Sequence, residues 1–111
     1  MRLQRADGYT VVLGAPVPRG ADAITLGRVI LMRKGSEDSR YLIYHELAHV
    51  HQWVEQGVVG FGARYLRDYA VGRLRGRGHW GAYRHIGFEI EADWAARQRL
   101  ADEARAASVQ V

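Results

Sequence analysis

Two histidines four residues apart with a glutamate between them, His45-Glu46-Leu47-Ala48-His49, are the residues of this chain best suited to chemistry. On a helix, positions four apart lie one turn apart along the axis and about 40° apart around it, so both imidazoles can reach one ion. The glutamate after the first histidine points to the side, where it can hold a water on that ion. This H-E-x-x-H arrangement is the pattern of zinc-dependent hydrolysis. His51, about 240° and 200° round from His45 and His49, points elsewhere and is not expected to join them. A catalytic zinc takes three protein ligands and keeps a further position for water. The two histidines therefore need a third donor, and a chain without cysteine must supply it as His, Asp or Glu.

Glu89 and Asp93 are the candidates. They stand i, i+4 in a stretch that also carries Ile86 and Ile90 on the same helical face. Carboxylates on an apolar face are costly unless they are paired or bind a metal. Glu91 is about 200° round the helix from Glu89, so the two cannot serve the same ion. Glu89 is favoured because it alone shares a face with Asp93 at one-turn spacing. Glu91 is expected to be a surface acid paired with a nearby arginine.

The elements that must position these residues suggest an α+β domain. Residues 9–13 read as a short β-branched strand, followed by a loop rich in Gly and Pro up to Gly20. Residues 23–33 read as two short strands turned at Gly27, of which Val29–Met32 is apolar throughout and central in a small sheet. A turn follows with Ser36 as N-cap, then a helix over 38–56 ending at Gly57. Ile43, Leu47, Val50 and Val54 form its core stripe. A second helix is expected over 61–74, carrying Phe61, Tyr65, Leu66 and Tyr69 and weakened by Gly62 and Gly72. A mobile loop over 76–81 leads to a long helix over 83–106 that frays after Ala101. Trp53, Trp80 and Trp94 are expected to pack in the core or against loops.

With these elements in place the chain resembles the gluzincin metallopeptidases, in which the H-E-x-x-H helix is followed by a second helix bearing E-x-x-x-D. The match lies in His45, Glu46 and His49 and in Glu89 and Asp93. The stretch from Phe88 to Ala96 is similar to the glutamate helix of the CAAX prenyl protease family, whose members carry membrane spans. The small soluble minigluzincins are the nearer comparison. The resemblance implies a small zincin-like domain over 1–111, with a short mixed sheet packed on the active-site helix, a second helix and a long glutamate helix. It implies His45, His49 and Glu89 as Zn2+ ligands, Glu46 as general base and Asp93 as the acceptor that fixes the tautomer of a ligand histidine. It also implies that Val29–Met32, or its partner Ala23–Leu26, rims the cleft, where a peptide substrate adds as a further strand. The implied activity is peptide-bond hydrolysis by a zinc-bound water that Glu46 activates. One more donor must hold the oxyanion. Tyr83, His85, His79, Tyr65 and Tyr69 are candidates, and Tyr83 or His85 is preferred because both lie just before the glutamate helix.

Composition limits the alternatives. One domain is expected at 111 residues, and the absence of cysteine excludes disulfides. No run approaches the ~20 apolar residues of a membrane span, and the first residues lack the apolar run of a signal peptide, so a soluble cytoplasmic protein is expected. The net charge of +4 comes from 15 arginines and Lys34 against 12 acids. Six of the arginines (64, 67, 73, 75, 77 and 84) fall in a stretch with the single acid Asp68. That stretch could meet nucleic acid or an anionic surface, though a solvated face is the simpler reading. A non-catalytic, zinc-stabilised interaction domain is the other competing class.

Overall fold

The structure is a computed structural model that describes residues 1–109. It is an α+β domain: strands β1 (Arg2–Ala6), β2 (Tyr9–Leu13), β3 (Ala23–Leu26) and β4 (Val29–Met32) precede helices α1 (Arg40–Leu74), α2 (His79–Arg84) and α3 (Gly87–Val109). The sheet order is β1-β2-β4-β3, with β2 and β4 parallel and the other pairs antiparallel. Strand β4 is therefore central, as its apolar sequence suggests. Only one of its faces is deeply buried: Ile30 and Met32, level with Val11 and Leu13 of β2, pack on Ile43, Leu47 and Val50 of α1. Alternation along the strand leaves Val29 exposed.

Strand β1 has no counterpart among the expected elements, because Arg2–Ala6 is exposed throughout and has no hydrophobic pattern to reveal it. It is held by its ladder to β2 across Asp7-Gly8, with Gly8 at φ 87°. That Asp-Gly pair beside a β-branched run is the one local sign of the hairpin.

Helix α1 starts later than expected and is capped by Ser39, whose Oγ accepts from the Leu42 amide. Ser36 instead opens a single 3₁₀ turn. The expected stop at Gly57 is a break rather than an end. Its φ of 74° and ψ of 165° interrupt the helix, and the chain turns helical again at once instead of at residue 61. The first arm covers the sheet. The second arm builds another core, in which Phe61 stacks on Phe88 of α3 at 4.7 Å beside the buried Ile86. Val54, at the end of the first arm, falls between the two cores and is half exposed.

Residues 76–81, expected as a mobile loop, contain the start of α2. The packing reason is Gly72: a Cβ there would lie 3.0 Å from Ala82, so the bare helix face lets α2 sit directly on α1. The long helix expected from residue 83 is consequently split at His85 and Ile86. Helix α3 starts at Gly87, whose amide donates to Asp68 Oδ2 at 3.1 Å. Its tail does not fray at Ala101, because Tyr44 and Arg40 both bind Glu103 and Arg99 lies over the Tyr44 ring. Ile90 and Trp94 are exposed, so the apolar face of α3 is narrower than its sequence implies. Among the described residues no helix is long and apolar enough to cross a membrane.

Two glycines of α1 should respond in opposite ways to alanine. Gly57→Ala must hold an L-residue in a glycine-only conformation and is expected to cost about 1–3 kcal/mol. Gly62 is helical and a Cβ on it meets nothing within 4 Å, so Gly62→Ala is expected to stabilise by about 1 kcal/mol. Urea unfolding of both variants reads the difference, and equal midpoints would refute it.

Candidate metal centre

The first arm of α1, the first turn of α3 and the outer strand β3 meet at the site, and the second arm of α1 and α2 close it. His45 and His49 stand one turn apart on α1, with ring centroids 4.9 Å apart. Glu89 faces them from α3. Its Oε1 lies 2.9 Å from His45 Nε2 and its Oε2 lies 3.1 Å from His49 Nε2. The three donor atoms fall within 4.8 Å of one another, and all three side chains are largely or fully buried. A tetrahedral ion bound at about 2.0–2.2 Å sets its donors roughly 3.4 Å apart, so the cluster could hold one with small adjustments.

The hydrogen bonds around His49 favour that use, whereas His45 meets Glu89 through Nε2 and its buried Nδ1 has no partner. His49 Nε2 is buried and makes no hydrogen bond, because Glu89 lies off its line. Its Nδ1 meets Gln52 Oε1 at 2.8 Å. The Gln52 amide is itself clamped: its Nε2 donates to the Phe88 carbonyl at 3.0 Å and to Glu91 Oε2 at 3.3 Å. Both amide protons are therefore spent, and only the oxygen can face His49. Consequently His49 Nδ1 donates to Gln52, which leaves Nε2, without a hydrogen bond of its own, as the ring atom that could serve a metal.

Electrostatics at the cluster are strongly coupled. Burial alone would raise the Glu89 pKa, but the His45 hydrogen bond and the nearness of both imidazoles outweigh it and hold the carboxyl well below the usual carboxylate range. Burial would likewise lower His49, and Glu89 and Glu46 outweigh it to give a net rise. Glu46 is buried beside the histidines, and Thr25 Oγ1 donates to its Oε2 at 2.6 Å. Thr25 is held in turn by Trp53, whose Nε1 donates to the Thr25 carbonyl at 3.1 Å. Two phenols complete the wall. Tyr65 donates to Glu89 Oε2 at 3.0 Å, and Tyr83 lies against Tyr65 and both glutamates. Burial, then the charge of Glu89, pushes both phenols far up, so they remain donors.

The remaining candidates fall elsewhere. Asp93 lines the cleft but does not reach an imidazole. It sits one turn beyond Glu89 towards solvent, where Tyr41 and Arg97 take its oxygens. The tautomer-fixing contact expected of it is made by Gln52 instead. His85 is exposed and bonds Gly81 O through Nδ1 at 2.7 Å, because the break between α2 and α3 turns it away from the cleft. His79 and Tyr69 bond each other at 2.9 Å at the outer end of the cleft. Glu91 lies 3.9 Å from Arg64, as expected of a surface acid, and His51 pairs with Glu55. Gln52 could have been found from sequence, since it stands i+3 from His49 on one helical face. Thr25 could not, because the contact spans 21 residues and depends on the sheet.

Gln52→Leu should weaken zinc affinity by about 10–100-fold in a chelator competition. Nitrogen NMR of the wild-type His49 ring should show the Nδ1–H tautomer, and an Nε2–H signal would sink the assignment.

Residues 18–57 are similar to the eCIS core domain family. The similarity takes in β3, β4 and the first arm of α1, with His45, Glu46, His49 and Gln52, and leaves Glu89 outside. No curated protein and no solved structure matches the chain.

Proposed function

We propose that the chain is a zinc-dependent metallopeptidase of gluzincin type that hydrolyses peptide bonds. The observation that carries this is the convergence of His45 Nε2, His49 Nε2 and the Glu89 carboxylate beside a buried Glu46. The donor set is two imidazoles and one carboxylate, with His49 Nε2 left bare, and that set suits zinc. A zinc ion held there would supply Lewis acidity and bring water towards a neutral pKa.

The chain's own residues account for the rest. Thr25 holds Oε2 of Glu46 and leaves Oε1 to take a proton from the attacking water and hand it to the leaving amine. Tyr83 is the donor best placed to bind the oxyanion, since Tyr65 already serves Glu89. The substrate enters beside β3, the outer strand of the sheet. One carbonyl of that strand, that of Thr25, is already bound by Trp53. The arginine-rich stretch is a weaker basis for a function. Arg64 lies over the Phe88 ring and near Glu91, and Arg67 pairs with Asp68, so part of the stretch serves the fold.

Metal analysis of purified wild type should return about one zinc per chain, and His49→Ala should lose it. Glu46→Gln should keep the zinc and lose at least ~10²-fold of kcat/KM on a peptide library. Tyr83→Phe should lower kcat by ~10²-fold with KM little changed. Wild type that folds without metal and cleaves nothing refutes the reading. Retained zinc without hydrolysis would instead identify a zinc-stabilised interaction domain.

A further inference from the structure

We infer that the cleft beside the metal centre is a pocket for one aromatic side chain of the peptide, and that Gly62 keeps it open. This rests on the metallopeptidase reading and adds to it a class of substrate. The cavity measures about 480 Å³ and starts at Glu46, His49 and Glu89. It runs outward between β3 and the second arm of α1, within the ~300–1,000 Å³ range of ligand sites. Trp53, Phe61, Tyr65, Tyr69, Trp80 and Tyr83 line it.

The walls are flat. Trp53, Phe61 and Tyr65 form a continuous stack with centroid distances of 4.1 and 5.5 Å, and Trp80 meets Tyr83 edge-on at 5.7 Å. Rings stacked on one another turn edges to the cavity, and an edge meets the face of a planar ring in the favoured T-shaped arrangement. Leu66 and Trp80 remain exposed at the mouth, which leaves apolar surface for an incoming group to cover.

Gly62 supplies the independent observation. It lies in the second arm of α1, lines this cavity, and would project a Cβ into open space. Alanine is the better helix former there and nothing in the fold obstructs it. The bare position widens the pocket where a side chain would narrow it. The other side of the centre differs: a second cavity of about 480 Å³ shares Glu46 and Glu89 but carries Asp22, Arg84, Asp93 and Arg97. A peptide lying across the centre therefore meets an aromatic box on one side and charged groups on the other, which fixes its direction.

The test is a random decapeptide library digested by zinc-loaded wild type, Gly62→Ala and Gly62→Leu. Wild type should cut beside Phe, Tyr or Trp at least ~10-fold more often than beside Ala at the same position. That ratio should shrink in Gly62→Ala and collapse in Gly62→Leu. In parallel, N-acetyl-phenylalanine amide is titrated into each zinc-loaded protein and followed by amide and indole NMR. Shifts at Phe61, Gly62, Tyr65 and the Trp80 indole are expected in wild type and should be lost in Gly62→Leu, whose thermal melt checks that it folds. Cleavage without aromatic preference, or a preference unchanged in Gly62→Leu, overturns the pocket. Probe shifts with no cleavage at all would overturn the peptidase reading and leave the pocket standing.

Discussion

A carboxylate enclosed by two imidazoles has few ways to exist inside a protein. Glu89 has left water, and only cations or donors at its two oxygens can offset that loss. His45 and Tyr65 supply them from two arms of one helix, with the His49 ring packed alongside, while α3 supplies the acid. The contact between α1 and α3 is thus polar at its centre and aromatic around it, with Phe61 on Phe88 directly alongside. Removing the acid would leave two buried rings facing each other, and removing the rings would strand a charge. The helices are held in register by the same atoms that form the site.

That arrangement requires devices that place α3 accurately. Asp68 fixes where α3 begins by accepting from the Gly87 amide, Gln52 reaches the Phe88 carbonyl one residue before Glu89, and Glu103 is tied to Arg40 and Tyr44 near the other end. Each is a contact between α1 and α3, and together they span most of the length of α3. Asp68, which on composition is only the lone acid in a basic stretch, has a structural task at the head of the glutamate helix.

The range of each interaction decides whether sequence can reveal it. His45, Glu46 and His49 are legible because helical spacing alone sets their relation, and Glu89 is preferred over Glu91 by the same rule. The four-stranded sheet is legible where β-branched runs alternate or cluster, and illegible at β1, whose residues bury nothing. The fate of Asp93 is hidden for another reason. Its i+4 neighbour Arg97 and the distant Tyr41 compete for it, and the competition is decided by how deep α3 sits. The split between α2 and α3 depends on Gly72 meeting Ala82, a contact with no local pattern. Gln52 lies within reach of helical spacing, but an amide carries less signal than an acid beside a histidine.

The break at Gly57 separates two kinds of work within one helix. N-terminal to it the helix places His45, Glu46, His49 and Gln52 at the centre and Trp53 in the cleft beside it. The arm C-terminal to it, from Phe61 to Tyr69, gives the cleft its aromatic wall and its width. The two arms meet at a residue whose backbone already departs from the helix. The similarity to the eCIS core family stops at this same residue. In this fold, a single glycine lets one helix serve two cores, the first arm covering the sheet and the second carrying Phe61, Tyr65 and Asp68 to α3.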